Sequence, residues 1–352
     1  MSQVISDPDE ITPELLTEIM RRSYTDWLGR VSSVQVVLTK SLFVSRVARL
    51  AIEYSSDPDE ELPRHLFLKF SSADTDIENS SKSEVEFYNS VGAEMNAAPL
   101  VRCYDAAFSP SKGRSHILLE DLFETHFQTE NGKHPSPIHS ELAVKSLARF
   151  HASWWEHPKI GNGIGSVFDN QWLESFIANL KDSVTKFMIF LGSDLLPEQR
   201  KEYEQMLESG EKIWGRLTDR RGLTITHGDT HWWNFFFPKD PENEKTRIFD
   251  WQLWHIDQGA RDLAFLIALG GFAERRPELE THLLHSYYES LVEYGLQDYS
   301  WDDFWDDYRR SAIRNLNIPV IFWSQGKHPS IWKNALERAF KSFDELKCGE
   351  ML

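Results

Sequence analysis

Most of the side chains able to do chemistry fall in one short run, His227-Gly228-Asp229-Thr230-His231-Trp232-Trp233-Asn234, followed later by Ile248-Phe249-Asp250-Trp251. A carboxylate such as Asp229 can orient a hydroxyl group and take its proton. Asn234 and Asp250 offer an amide oxygen and a second carboxylate, hard ligands of the kind magnesium takes alongside phosphate oxygens. Those few parts are what phosphoryl transfer asks of a protein, since catalysis there is mainly positioning and charge stabilisation. The turn-rich PKDPENEK lies between the strand-like stretches LTITHGDTHWWNFFF and TRIFDWQLW. It predicts a hairpin that would bring Asn234 and Asp250 back beside Asp229.

Three other readings compete. His227, Asp229, His231, His255 and Asp257 could form a His/Asp cluster around zinc or a di-metal centre, giving a metal-dependent hydrolase. That reading leaves Asn234 and the first third of the chain without a role. The plainest alternative is a polar loop whose aspartates cap turns. A catalytically silent nucleotide-binding protein would keep the fold without the chemistry, but Lys69, Asp229, Asn234 and Asp250 are all intact.

The elements that must position these groups are legible from periodicity. Thr12-Pro13-Glu14 opens a helix as N-cap, first helical residue and first-turn acid. From Val31 to about Tyr54 the chain alternates and is β-branched, which predicts two antiparallel strands, and RHLFLKF predicts a third. In that third strand Leu66, Leu68 and Phe70 share one face, while Lys69 lies on the other. A helix is expected from near Ser81, then two further strands around APLVRCYDAAF and SHILLEDL. After Asp121 the apolar spacing becomes helical, as in HSELAVKSLARFHASWW. The 352 residues suit two packed lobes rather than one small core.

Composition narrows the partners. A formal charge of −17 argues against a nucleic-acid binder, which needs clustered Lys and Arg. No apolar run approaches membrane-helix length, and MSQVISDPDE lacks the basic start and apolar centre of a signal peptide. Cys103 and Cys348 lie far apart in the sequence and make no CxxC pair. The expectation is a cytoplasmic protein with no membrane and no obligate protein partner.

A phosphate-handling site also needs a cation held in place by a carboxylate. Lys69 is the candidate cation. Of the two glutamates on the following helix, Glu84 shares a face with Phe87, Tyr88 and Val91, whereas Glu86 lies one turn from Lys82 and predicts an exposed pair. Ser81 and Glu84 also fit a capping box, which would occupy Glu84 locally.

The joint pattern resembles the aminoglycoside phosphotransferase and choline kinase group, especially its ecdysteroid kinase-like branch. That group writes HGDxxxxN and a hydrophobic residue before DW, and FDWQ suits the ecdysteroid kinase-like form. LARFHASWW and RDLAFLIAL resemble its flanking helices, and the Asp-to-Asn spacing is that of the protein-kinase catalytic loop. The resemblance runs from about Glu141 to Leu269, extends over the first lobe and fades beyond Gly271. It implies an α+β, bilobal protein-kinase-like fold: an antiparallel-sheet N-lobe with one inserted helix over 1–121, and a mainly helical C-lobe over 122–352. It further implies ATP or another nucleoside triphosphate, Mg2+, and a small-molecule hydroxyl acceptor. Asp229 would be the catalytic base, Asn234 and Asp250 the metal ligands, and Lys69 with Glu84 the phosphate anchor. Glu120 and Leu122 would meet the adenine through their backbone, with the Leu122 and Ile248 side chains about the base. His227 and His231 would brace the loop. Asp262 would brace it too, although it also reads as the cap of the helix it opens.

Two points follow for the ligands. No glycine occurs between Val31 and Leu50, so Lys40, Ser41 and Ser45 are the candidates to cover the phosphates. For the acceptor, the acidic run Ser300–Asp307 suits a cation, although Ser300 reads equally as a helix cap, while Trp154, Trp155, Trp232, Trp233 and Trp254 suit an apolar molecule. Only Gln252 to Arg261 separates Asp250-Trp251 from the next apolar helix. That is too short for a peptide-gripping activation segment.

Overall fold

Alternation and capping produce the first elements, and the computed structural model shows them over residues 4–42, 45–55, 62–71, 78–95, 98–130, 133–270 and 276–352, the residues it describes. Helix α1 (Pro13–Ser23) starts where Thr12 accepts from the Leu15 amide. Strands β1 (Val31–Ser41), β2 (Ser45–Tyr54) and β3 (His65–Ser71) lead into α2 (Glu78–Glu94), then β4 (Cys103–Ser109), β5 (Arg114–Glu120) and β6 (His126–Phe127). Helices α3 (Pro137–Trp154), α4 (Asn170–Leu191), α5 (Pro197–Glu208) and α6 (Gly210–Trp214) precede the short strands β7 (Leu223–Thr226), β8 (Phe235–Pro238), β9 (Arg247–Ile248) and β10 (His255–Gln258). The chain closes with α7 (Ala260–Leu263), a π-helical stretch Ala264–Leu269, α8 (Arg276–Glu293), α9 (Trp301–Arg314), α10 (Ile318–Ser324) and α11 (Pro329–Glu345).

These elements sort into two compact units, one of 1–128 with 235–254 and one of 129–234 with 255–352. In the first, five antiparallel strands run in the order β1-β2-β3-β5-β4, with α2 inserted after the third strand. Leu66, Leu68 and Phe70 of β3 are buried with Leu16, Ile19 and Met20 of α1, so that face is the core. Lys69 therefore stands on the opposite face, the consequence of a period of two. Helix α2 starts at Glu78, three residues before the expected Ser81, so Ser81 lies inside the helix and the Ser81–Glu84 capping box does not form. β6, β8 and β9 make a separate small sheet in which β8 and β9 form the hairpin closed by PKDPENEK.

The second unit is mainly helical, with α3 packed on α8 and one two-stranded ladder, β7 against β10. Every β7 residue is buried, which suits a strand enclosed by helices. Its fully buried side chains include Phe150, Tyr203, Tyr287, Phe304 and Tyr308. Among the described residues, no helix is long and apolar enough to cross a membrane.

Candidate active site

In the first unit, Lys69 Nζ lies 2.7 Å from Glu84 Oε2 and 2.7 Å from Asp250 Oδ1. Glu84 is fully buried because α2 turns Glu84, Phe87, Tyr88 and Val91 inward together. Glu86 instead makes an exposed pair with Lys82 at 3.5 Å. Gln252 Nε2 also donates to Glu84, at 3.4 Å, and Trp251 stacks on Phe87 with ring centroids 4.1 Å apart. Burial by itself would lower the Lys69 pKa, but the charges of Glu84 and Asp250 outweigh it and hold the amine protonated, above its ordinary value. Asp250 reaches Lys69 from a left-handed backbone, φ 67 and ψ 57, at the start of the 3-10 turn Trp251–Leu253. That conformation costs a non-glycine residue about 1 kcal/mol or more, with Asp among the residues that tolerate it. Strain of this kind persists where surrounding contacts hold it, here the Lys69 ion pair and the buried Trp251.

The second unit builds the loop after β7 around one buried carboxylate. Asp262 Oδ2 accepts from the His227 amide at 2.7 Å and lies 3.2 Å from His151 Nε2, while Oδ1 accepts from the Gly228 amide at 3.0 Å and from Thr230 Oγ1 at 2.6 Å. Its desolvation favours the neutral acid, yet the hydrogen bond and charge of His151, with His227 and Thr230, hold its pKa well below the carboxylate range. Asp262 is not the helix cap: α7 begins at Ala260, and its carboxylate serves the loop. His227 is fully buried, with Nδ1 accepting from the Asp229 amide at 3.2 Å. Asn234 Nδ2 donates to the Asp229 carbonyl at 2.8 Å, so Oδ1 is the Asn234 atom that could hold a metal ion.

With the loop held this way, the Asp229 carboxylate carries none of the backbone fixation. Its Oδ1 meets His231 Nε2 at 3.2 Å, and its side chain is about a third exposed, at 36%. Burial would raise its pKa, but His231, then His227 and the Asn234 amide, bring it below the usual value. His231 stacks on Trp233 at 4.1 Å and meets the edge of Phe265 at 4.9 Å.

His231, Trp232, Trp233 and Phe265 line a cavity of about 480 Å³ within the second unit, with Phe322 and Arg338 further along its wall. Of the five expected tryptophans, only Trp232 and Trp233 line it. Trp154 packs against His157, Trp155 against Tyr299, and Trp254 donates to the Ser83 carbonyl in the first unit. Nor does the acidic run line it: Asp303 completes a capping box with Ser300, and Asp307 is buried against Arg216, Arg310 and Tyr299.

Residues 41–299 match the model of the ecdysteroid kinase-like family. The chain belongs to that family. Its fold is bilobal and kinase-like, and its enzyme class is that of the small-molecule kinases. Among solved structures it is similar to the GDP complex of wild-type aminoglycoside 2'-phosphotransferase-IIIa, at 12% identity, 97% of this chain, 100% of that one and a TM-score of 0.52. It is also similar to the GDP and kanamycin complex of an APH(2")-IIIa enzyme, at 11% identity, 95% and 98% coverage and a TM-score of 0.51. None of the curated proteins matches.

The remaining positions read as follows in this ecdysteroid kinase-like chain. The Glu120 amide donates to the Arg102 carbonyl at 2.9 Å, and the buried Leu122 accepts from the His126 amide at 2.8 Å. Ile248 is fully buried and bridged to Leu100, so its side chain is core. Lys40 and Ser41 end β1 opposite Val47 and Arg46, and Ser45 is buried at the start of β2. The hydrolase cluster does not assemble: both Asp257 oxygens are taken by Arg314, with His255 3.5 Å away. Among the described residues, no three His, Cys, Asp or Glu side chains are placed to hold a metal ion.

Three residues of the loop support escape sequence reading. His151 bridges Asp262 to Tyr287, whose hydroxyl is 2.7 Å from His151 Nδ1. Gly259 passes directly beneath that hydrogen bond, and a Cβ there would collide with Tyr287 Oη and lie 2.8 Å from His151 Nδ1. The only hint in the sequence is a histidine on the buried face of LARFHASWW.

Proposed function

We propose that this protein transfers the γ-phosphoryl group of ATP, or another nucleoside triphosphate, to a hydroxyl of a small molecule, using Mg2+. The observation that carries the reading is the division of labour in the loop after β7. Asp262 takes two backbone amides and the Thr230 hydroxyl, so Asp229 is left to face a reactant. The donor sets fit both groups: Lys69 is a charged amine fixed by two carboxylates, suited to phosphate oxygens, and Asn234 Oδ1 and Asp250 offer hard oxygens to a metal ion.

Bound nucleotide and magnesium would supply the transferable phosphoryl group and the charge that steadies it. Asp229 orients the acceptor hydroxyl and receives its proton as the new oxygen–phosphorus bond forms. The bond from phosphorus to the bridging oxygen breaks, and its electron pair leaves with the diphosphate. A carboxylate held below its usual pKa is a weak base. Proton transfer therefore comes late, in keeping with the loose transition state of phosphoryl transfer. Glu120 and Leu122 would present backbone groups to the base, and His227, His231 and Asp262 keep the loop in shape. The acceptor would enter the cavity whose wall includes His231, because that imidazole touches Asp229.

The test is a screen of hydroxylated metabolites and antibiotics for ATP-dependent phosphorylation, run beside a mixed peptide library. Mass-shifted small-molecule products with no peptide label are expected. Robust peptide phosphorylation, or turnover that consumes no nucleotide, overturns the proposal.

A further inference from the structure

On the reading that Asp229 acts on an acceptor hydroxyl, the His231 side chain has a task distinct from shaping the loop. The His231 backbone does belong to the loop: its amide donates to the Asp229 carbonyl at 2.8 Å, and its carbonyl accepts from the Asn234 amide at 2.9 Å. Those bonds need no imidazole. The imidazole instead places Nε2 3.2 Å from Asp229 Oδ1. Burial favours the neutral acid at Asp229, and His231 is the foremost of the contacts that oppose it, with the Asn234 amide a weaker one.

Two rings fix that imidazole. Trp233 stacks on it with centroids 4.1 Å and planes 17° apart, and Phe265 meets it edge-on at 4.9 Å. Phe265 stands in the π-helical stretch Ala264–Leu269, where the Gly270 amide donates to the Phe265 carbonyl five residues back, at 2.8 Å. Turns of this kind recur at functional sites. The continuous segment 260–269 therefore holds the loop backbone through Asp262 and the imidazole through Phe265. An aspartate carboxylate swings broadly about its last torsion, so one anchored oxygen is what gives the other a fixed direction.

We propose that His231 is a positioning residue: its Nε2–H donates to Asp229 Oδ1 and so turns Oδ2 toward the acceptor hydroxyl. Oδ2 takes the hydroxyl proton as the acceptor oxygen bonds to the γ-phosphorus, and the electron pair of the broken phosphorus–oxygen bond leaves with the diphosphate.

Two variants separate this role from packing. His231→Phe keeps the aromatic stack and loses the donor. His231→Gln loses the stack and keeps an N–H donor at nearly the reach of Nε2. The probe is MgATP with water as acceptor, whose attack releases ADP and inorganic phosphate, and any acceptor found in the screen is measured beside it. Steady-state kinetics and urea unfolding are read on each full chain. His231→Phe should lose on the order of 10² in kcat, the size of a misplaced reacting group, with the KM for ATP and the unfolding midpoint close to wild type. His231→Gln should recover about tenfold of that loss, the worth of a hydrogen bond to a charged group, although it is the less stable chain. Activity and stability then rank the two variants in opposite orders. Activity that follows stability, with His231→Phe near wild type, overturns the inference, and so does a loss carried by the KM for ATP. If His231→Gln does not fold, the kcat of His231→Phe decides alone. Wild-type protein that consumes no ATP with either acceptor defeats the kinase reading itself, whereas an active wild type with an equally active His231→Phe defeats this inference only.

Discussion

Replacing Asp262 by Asn tests whether one buried carboxylate holds the loop. Each of its oxygens meets two donors: the His227 amide and His151 on one, the Gly228 amide and Thr230 on the other. An asparagine must turn its NH2 toward one of these pairs. Thr230 can rotate to accept and His151 can change tautomer, but in either orientation one backbone N–H is left facing a donor. A buried group stripped of its partner costs about 1–3 kcal/mol, and losing the charge from the remaining bonds adds to that. The expected loss is therefore about 2–5 kcal/mol. Urea unfolding followed by tryptophan fluorescence, for which the chain has thirteen reporters, measures it. The acid limb gives a second readout. The folded pKa of Asp262 lies below the roughly 3.9 of an unfolded Asp. Its contribution is therefore complete above about pH 5 and is lost as pH falls toward the folded value. Asp262→Asn should flatten that limb in part, because Asp257, also held well below the carboxylate range, remains. A folded variant within about 0.5 kcal/mol of wild type, with an unchanged acid limb, would refute the reasoning.

Further outcomes follow from the same contacts. Gly259→Ala should destabilise by about 1–3 kcal/mol, an overpacking cost, and Tyr287→Phe in the same chain should recover part of it; equal urea midpoints for Gly259→Ala and wild type would count against the close approach. Lys69→Met should weaken nucleotide binding and, by leaving Glu84 buried without its counter-charge, cost about 3 kcal/mol, with Glu84→Gln restoring stability but not binding. In calorimetry with ATP and titrated magnesium, Asp250→Ala should reduce affinity more than Asn234→Ala, because a full charge outweighs an amide dipole at a hard cation. Metal-independent binding would contradict that assignment.

What could be read from the sequence is what local pattern encodes. The His227–Asn234 run is contiguous, and the choice of Glu84 over Glu86 follows from helical period alone. The five-strand sheet with one inserted helix follows from alternation. Asp262 looks like a cap because its partners lie 32 to 35 residues earlier, beyond any local pattern. His151 and Tyr287 are 136 residues apart, and the need for glycine at 259 arises only from where those two meet. The same limit applies to the tryptophans: composition shows that they are many, but burial by distant helices decides that Trp232 and Trp233 face a cavity while Trp154 is core. Phe322 and Arg338 lie beyond Gly271, where the family resemblance fades.

The central claim is that Asp229 acts on the acceptor rather than on the nucleotide or the fold. It is tested most directly by measuring turnover, magnesium-dependent ATP binding and urea stability for Asp229→Asn beside wild type, with an acceptor found in the screen. The account predicts a loss of about 10²–10⁴ in turnover, with ATP affinity and unfolding midpoint close to wild type. Wild-type turnover in the folded variant would contradict it.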